Sequence, residues 1–129
     1  MSTDLPMSKK QANLYVRQDT INRIYQLADE LTDPILRLRP SDGQVIALAT
    51  NLFQKHVAVA ATLQLPDTEV SYSDKRYRLD TTTIEKIDAL KETLSLSGRG
   101  AIVDRAIYFF NKQHEAQQAR KGTATASAH

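Results

Sequence analysis

The side chains able to do chemistry separate into isolated groups and ordered rows. His56, His114 and His129 stand far apart, and none has the His-Glu-x-x-His or comparable spacing of metal ligands. With no cysteine in the chain, a thiolate nucleophile, a Cys-held zinc and a disulfide framework are all excluded. No nucleophile elbow, P-loop or dinucleotide fingerprint occurs. Acidic pairs such as Asp29 with Glu30 lie beside bases on helical patterns and read as solvated faces. Catalytic residues, metal ligands and cofactors are therefore not expected, and neither is an enzyme. Two rows of polar side chains at alternate positions remain: Gln11, Asn13 and Tyr15 in one stretch, Arg76 and Arg78 in another.

Alternation is the two-residue period of a half-buried strand. Leu14 and Val16 fall between or beside the first row, and Tyr77 and Leu79 flank the second, so residues 13–17 and 75–79 read as strands. In both stretches the period then becomes helical. Ile21, Ile24, Leu27 and Leu31 recur 63 positions later as Ile84, Ile87, Leu90 and Leu94, one apolar stripe of about three turns. Asp19 and Asp80 stand where a helix N-cap belongs.

These matches are parts of an internal repeat. Further along, Val45, Ala49, Leu52 and Phe53 recur as Ile102, Ala106, Phe109 and Phe110 at an offset of 57, which aligns Gly43 with Gly100. The first copy is thus six residues longer in its middle connection, where Pro34 and Pro40 forbid a continuous helix. Its second helix is expected to run from about Val45 through His56 to Leu65, ending at Pro66. The resulting organisation is a flexible arm over 1–10, a first repeat over 11–65, a linker over 66–74, a second repeat over 75–121 and a disordered tail over 122–129. One strand and two helices of some 45 residues cannot stand alone, because the strand lacks a partner and the core is small. Two copies can pair their strands antiparallel over four helices and share one core.

Composition agrees with a small assembly of this kind. At 129 residues the chain makes one ordinary domain or two very small ones. Lys plus Arg number 17 against 15 Asp plus Glu, and the sequence pI is near 8.9. That balance permits a nucleic-acid partner without demanding one. Charges are even on both sides of Pro66, with 7 basic and 6 acidic residues before it and 10 and 9 after it, so a nonspecific polyanion coat is not expected. Val57 to Ala61, an apolar run as long as any in the chain, is too short for a bilayer. The opening MSTDLPMSKK resembles neither a signal nor a transit peptide, so no membrane association and a cytoplasmic location are expected.

The segment YRLDTTTIEKIDALKETLSLSGRGAIVDRAIYFF, residues 77–110, closely resembles a ribbon-helix-helix unit of the MetJ/Arc type. Its Leu79 to Ile87 stretch sits where that family usually reads Leu-Pro-x-Glu-Leu, with Asp80 in place of the proline. The first copy is a weaker match, stretched by its proline-flanked loop. Family members are usually homodimers, whereas this chain resembles a tandem version, similar in plan to TraY-type accessory proteins of conjugative relaxosomes. The fold so implied is mainly α with a two-stranded antiparallel β ribbon, the two units forming an intramolecular pseudodimer.

The resemblance implies that the ribbon enters the major groove of double-stranded DNA, whose edges distinguish all four base pairs. Arg76, Arg78, Asn13, Tyr15 and Gln11 would then read bases, Arg matching guanine and Asn or Gln adenine. The bland alternative is that Arg76 and Arg78 solvate an exposed edge, and that Tyr15 packs against the helix ends instead of stacking on a sugar. Phosphates would be held at the starts of the second helices, by Ser97, Gly98, Arg99 and Gly100 in one copy and by Ser41 and Gly43 in the other. There Asp42 would repel a phosphate, and SGRG alone could be a plain turn. Unlike rows on the two strands imply a non-palindromic site.

The expected function is sequence-specific DNA binding, as a transcriptional regulator or a conjugation relaxosome accessory factor. Expected partners are DNA, with further copies of the chain on adjacent sites and a relaxase or other protein as additions. The helix from Val45 to Leu65 would either supply contacts between copies or close the intramolecular core. The alternative is an antitoxin-like or adaptor module that binds protein. GTATASAH, with no large apolar anchor, speaks against the antitoxin form.

Overall fold

The computed structural model describes residues 9–66 and 70–127, with side chains through residue 120. Most of the expected N-terminal arm, the middle of the linker and the last two residues of the chain lie outside the described residues. In chain order the elements are β1 (Lys9–Arg17), α1 (Gln18–Glu30), α2 (Asp42–Lys55), α3 (Val57–Ala60), β2 (Tyr72–Asp80), α4 (Thr81–Thr93) and α5 (Arg99–Ser127). The described residues are mainly helical with one two-stranded antiparallel sheet. No helix among the described residues is long and apolar enough to cross a membrane.

Alternation builds the ribbon. Ala12, Leu14 and Val16 on β1 and Tyr77 and Leu79 on β2 are buried on the inner face. The outer positions between them are exposed. Apolar stripes then seat the helices on that inner face. Ile24 and Leu27 from α1, Val45, Ile46, Ala49 and Phe53 from α2, Ile87 and Leu90 from α4, and Ile102, Val103, Ala106 and Ile107 from α5 join the strand residues in one core. Phe53 and Phe109 meet edge to face at its centre, ring centroids 6.3 Å apart. The second helix of each stretch crosses over, α2 packing on β2 and α5 on β1.

Several boundaries differ from the expected ones. Both strands are longer, β1 taking in Lys9 and Lys10 and β2 taking in Tyr72, Ser73 and Asp74, so the linker is shorter than 66–74. The helix expected from Val45 to Leu65 ends at Lys55. His56, at φ −119 and ψ 32, breaks it before the short α3. Asp19 is not the cap of α1: the cap position is Arg17, and Asp19 lies in the first turn. Asp80 does cap α4, its carboxylate accepting from the Thr83 N–H at 2.8 Å. At the far end α5 continues past residue 121, where the tail was expected, to Ser127.

Candidate nucleic-acid interface

Ribbon register fixes the outer face. Gln11 pairs with Arg78, Asn13 with Arg76 and Tyr15 with Asp74. All five residues singled out in the sequence, Gln11, Asn13, Tyr15, Arg76 and Arg78, therefore share one exposed surface. Asn13 and Arg76 are related by the repeat offset of 63, and they are also partners in the ladder. The Arg76 Nε donates to the Asn13 Oδ1 at 3.2 Å across the strands.

Two glycines bring the second helices against this ribbon. A Cβ at Gly43 would run into the carbonyl oxygen of Arg78, and one at Gly100 into that of Tyr15. Both helix starts thus rest on strand backbone, at a distance only a residue without a side chain allows. The two contacts correspond, because Gly43 matches Gly100 at the offset of 57 and Tyr15 matches Arg78 at 63. Gly98 differs: a Cβ there meets nothing within 4 Å.

A cleft opens on each side of the ribbon as a result. One, of about 710 Å³, lies between Asn13, Tyr15 and Tyr72 on the strands and Ser97 to Ala101 at the start of α5, with Lys91 and Arg105 on its walls. The other, of about 380 Å³, lies between Arg76 and Arg78 and the Ser41, Asp42 and Gly43 start of α2, with Lys9 at its edge. Each cleft joins the outer ribbon face to a helix N-terminus, which favours an anion.

The helix starts are built unlike one another. Ser41 and Gln44 form a reciprocal capping box on α2, with bonds of 2.8 and 3.2 Å. Asp42 follows it in the first turn and leaves a negative charge in the smaller cleft. At α5, Arg99 is held by Asp88 through two bonds of 2.7 and 2.9 Å. The guanidinium keeps the Asp88 carboxyl below its ordinary range, chiefly by that hydrogen bond. Arg99 is therefore a partly neutralised cation in this cleft, and Lys91 and Arg105 supply positive charge that sequence reasoning did not single out.

Beneath the larger cleft Asp104 is buried. It accepts from the Arg17 backbone N–H at 3.1 Å and from the Thr20 hydroxyl. Burial pushes its carboxyl up, against the pull of those two hydrogen bonds. Arg17 points away from the outer face: its guanidinium binds Asp19 at 3.0 and 3.1 Å and the Pro66 carbonyl at 3.1 Å. Tyr77, on the inner face, keeps its phenol neutral through burial. The two described histidines stay apart. His56 lies against the Phe109 ring, His114 meets Glu30 at 2.9 Å, and His129 is outside the described residues. Among the described residues no three His, Asp or Glu side chains gather as metal ligands would.

In comparisons with known proteins, no family model matches the chain, and no curated protein or solved structure does either.

Proposed function

We propose that the chain is a sequence-specific double-stranded DNA-binding protein of tandem ribbon-helix-helix type, in which one chain supplies both units of a pseudodimer. The reading is carried by one observation: Gln11, Asn13, Arg76 and Arg78 stand exposed on a ribbon flanked on both sides by helix starts. A major groove admits a two-stranded ribbon, and these side chains match base edges while the helix N–H groups reach phosphates. The pairing of Asn13 with Arg76 and the matched glycine contacts support a two-fold relation between the units. Different side chains at the related positions make the recognised site asymmetric. A role as transcriptional regulator or relaxosome accessory rests on the family resemblance by analogy, and a cytoplasmic location on the reading of the opening residues.

Selection of duplexes from a random pool at about physiological salt tests this, because nonspecific phosphate contacts weaken there. Enrichment of a short asymmetric motif is the expected result. A motif of perfect dyad symmetry overturns the asymmetric tandem arrangement, and no motif from folded protein overturns DNA recognition itself. The second reading, an adaptor or antitoxin-like module, has one observation in its favour. The loop between α1 and α2 presents Ile35, Leu36 and Leu38 to solvent, Ile35 being 86% exposed. Asp33 holds that loop in shape by accepting from the Ile35 and Leu36 N–H groups at 2.8 Å.

A further inference from the structure

The outer ribbon face changes character at the Asn13–Arg76 pair. Towards Lys9 the outward groups are basic or amide, and the one carboxylate, Asp80, is taken up in capping α4. Towards Tyr72 the face carries Tyr15, Asp74 and Tyr72, because Arg17 is buried and bound to Asp19 and Pro66. The two tyrosine rings stack 5.2 Å apart at an interplanar angle of 14°, yet are 61% and 45% exposed. Nothing among the described residues hydrogen-bonds the Asp74 carboxylate, which stands directly across from Tyr15. Such a group on a surface that meets a polyanion opposes binding unless it finds a donor.

Resting on the DNA reading above, we infer that Asp74 selects cytosine at one end of the site, while Arg78 reads a purine at the other, with Arg76 between them. In the major groove guanine shows the N7 and O6 acceptors, thymine the O4 acceptor and adenine an N7 acceptor beside its amine. Cytosine alone presents a donor, its N4 amine, with no acceptor of its own. A carboxylate is repelled by guanine and thymine, meets both a donor and a repelling N7 on adenine, and is bound best by cytosine. Asp74 is exposed beside the stacked tyrosines and has no protein donor among the described residues, so a base amine that meets this face can become its partner. The site therefore has a direction: a purine end under the basic half of the ribbon and a cytosine end under the aromatic half.

Random-pool selection run in parallel on the wild type, Asp74→Asn, Asp74→Ala and Arg78→Ala tests the inference. Asparagine matches the adenine N6 and N7 pair, so Asp74→Asn moves the preference at one end from cytosine to adenine by about tenfold and leaves the other end unchanged. Asp74→Ala loses the cytosine preference without gaining adenine. Arg78→Ala relaxes only the opposite end. A wild-type motif that Asp74→Asn and Asp74→Ala leave unaltered, or alter at both ends, overturns this inference and leaves the DNA reading standing. Absence of any wild-type motif overturns both.

Discussion

Helices α1 and α4 begin at positions that the repeat makes equivalent, Arg17 and Asp80, and they satisfy their first N–H groups by different means. At α4 the solution is local: Asp80 accepts from Thr83 three residues on. At α1 the cap residue makes no side-chain cap bond; the Gln18 N–H goes to the Ser71 carbonyl at 2.8 Å, and the Arg17 N–H just before it goes to Asp104 on α5. Ala47, the counterpart of Asp104 in the other stretch, carries no such group. The lesson is that two stretches with one plan need not share the interactions that hold it. The glycine contacts are matched pair for pair, whereas the helix starts and the connections are not. The shorter connection folds Leu94 and Leu96 onto the core. The longer one leaves three aliphatic side chains in solvent.

The largest effect should come from the matched feature. Gly43→Ala and Gly100→Ala each force a Cβ into strand carbonyl that cannot give way, so each should cost about 3 kcal/mol or more in urea unfolding. Gly98→Ala, with open space around it, should change little. Equal and large losses at Gly43 and Gly100 sharpen the correspondence between the two stretches, and a loss at only one of them breaks it.

Next come the unmatched helix starts. Asp104→Ala leaves the buried Arg17 N–H and Thr20 hydroxyl without their acceptor and should cost about 1 to 3 kcal/mol. Asp80→Ala removes an N-cap and should cost about 1 kcal/mol. Their pH dependences should run in opposite directions. Asp104 has its carboxyl raised above 3.8 by burial, so its contribution is full below 3.8 and declines as pH rises through the raised value. Asp80 is lowered below 3.8 by its bonds to Thr83. Its contribution is therefore present above 3.8 and declines as pH falls through the lowered value. Urea titrations of both variants against wild type across acidic pH read the two slopes directly, and slopes of the same sign would contradict the assignment.

The smallest effect concerns the core. Thr50 is buried with a hydroxyl that has no hydrogen-bond partner among the described residues, while its counterpart at the offset of 57 is Ile107. Thr50→Val keeps the shape and removes the unpaired oxygen, and should raise stability by about 1 kcal/mol. A thermal midpoint that falls instead would show the hydroxyl to be satisfied.

The two rows and the two stripes were legible in the sequence because their signals are periodic and local. Leu14, Val16, Tyr77 and Leu79 mark inner faces directly, and Asp80 announces the helix it caps. Strand ends were not legible. Lys10, Ser73 and Lys75 occupy inner-phase positions without apolar side chains, so alternation fades there and Tyr72 and Asp74 read as linker. Nothing local marks the break at His56, which has neither proline nor glycine beside it. Asp19 looked like a cap, but its carboxylate pairs with the Arg17 guanidinium, and the Arg17 N–H goes to Asp104, 87 positions away in the sequence. Arg99 likewise looked free for a phosphate, since its partner Asp88 lies on the preceding helix and is brought to it by the intervening turn.

The central claim, that the outer ribbon face carries sequence recognition, is tested most directly by the ratio of affinities for a selected and a scrambled duplex. That ratio is measured for wild type and for the double variant Arg76→Ala with Arg78→Ala, with melting midpoints checked for both. Each arginine is worth roughly 1 to 3 kcal/mol of discrimination, so the double variant should melt like wild type and lose most of the wild-type ratio. A folded double variant that kept the full wild-type ratio would contradict the account.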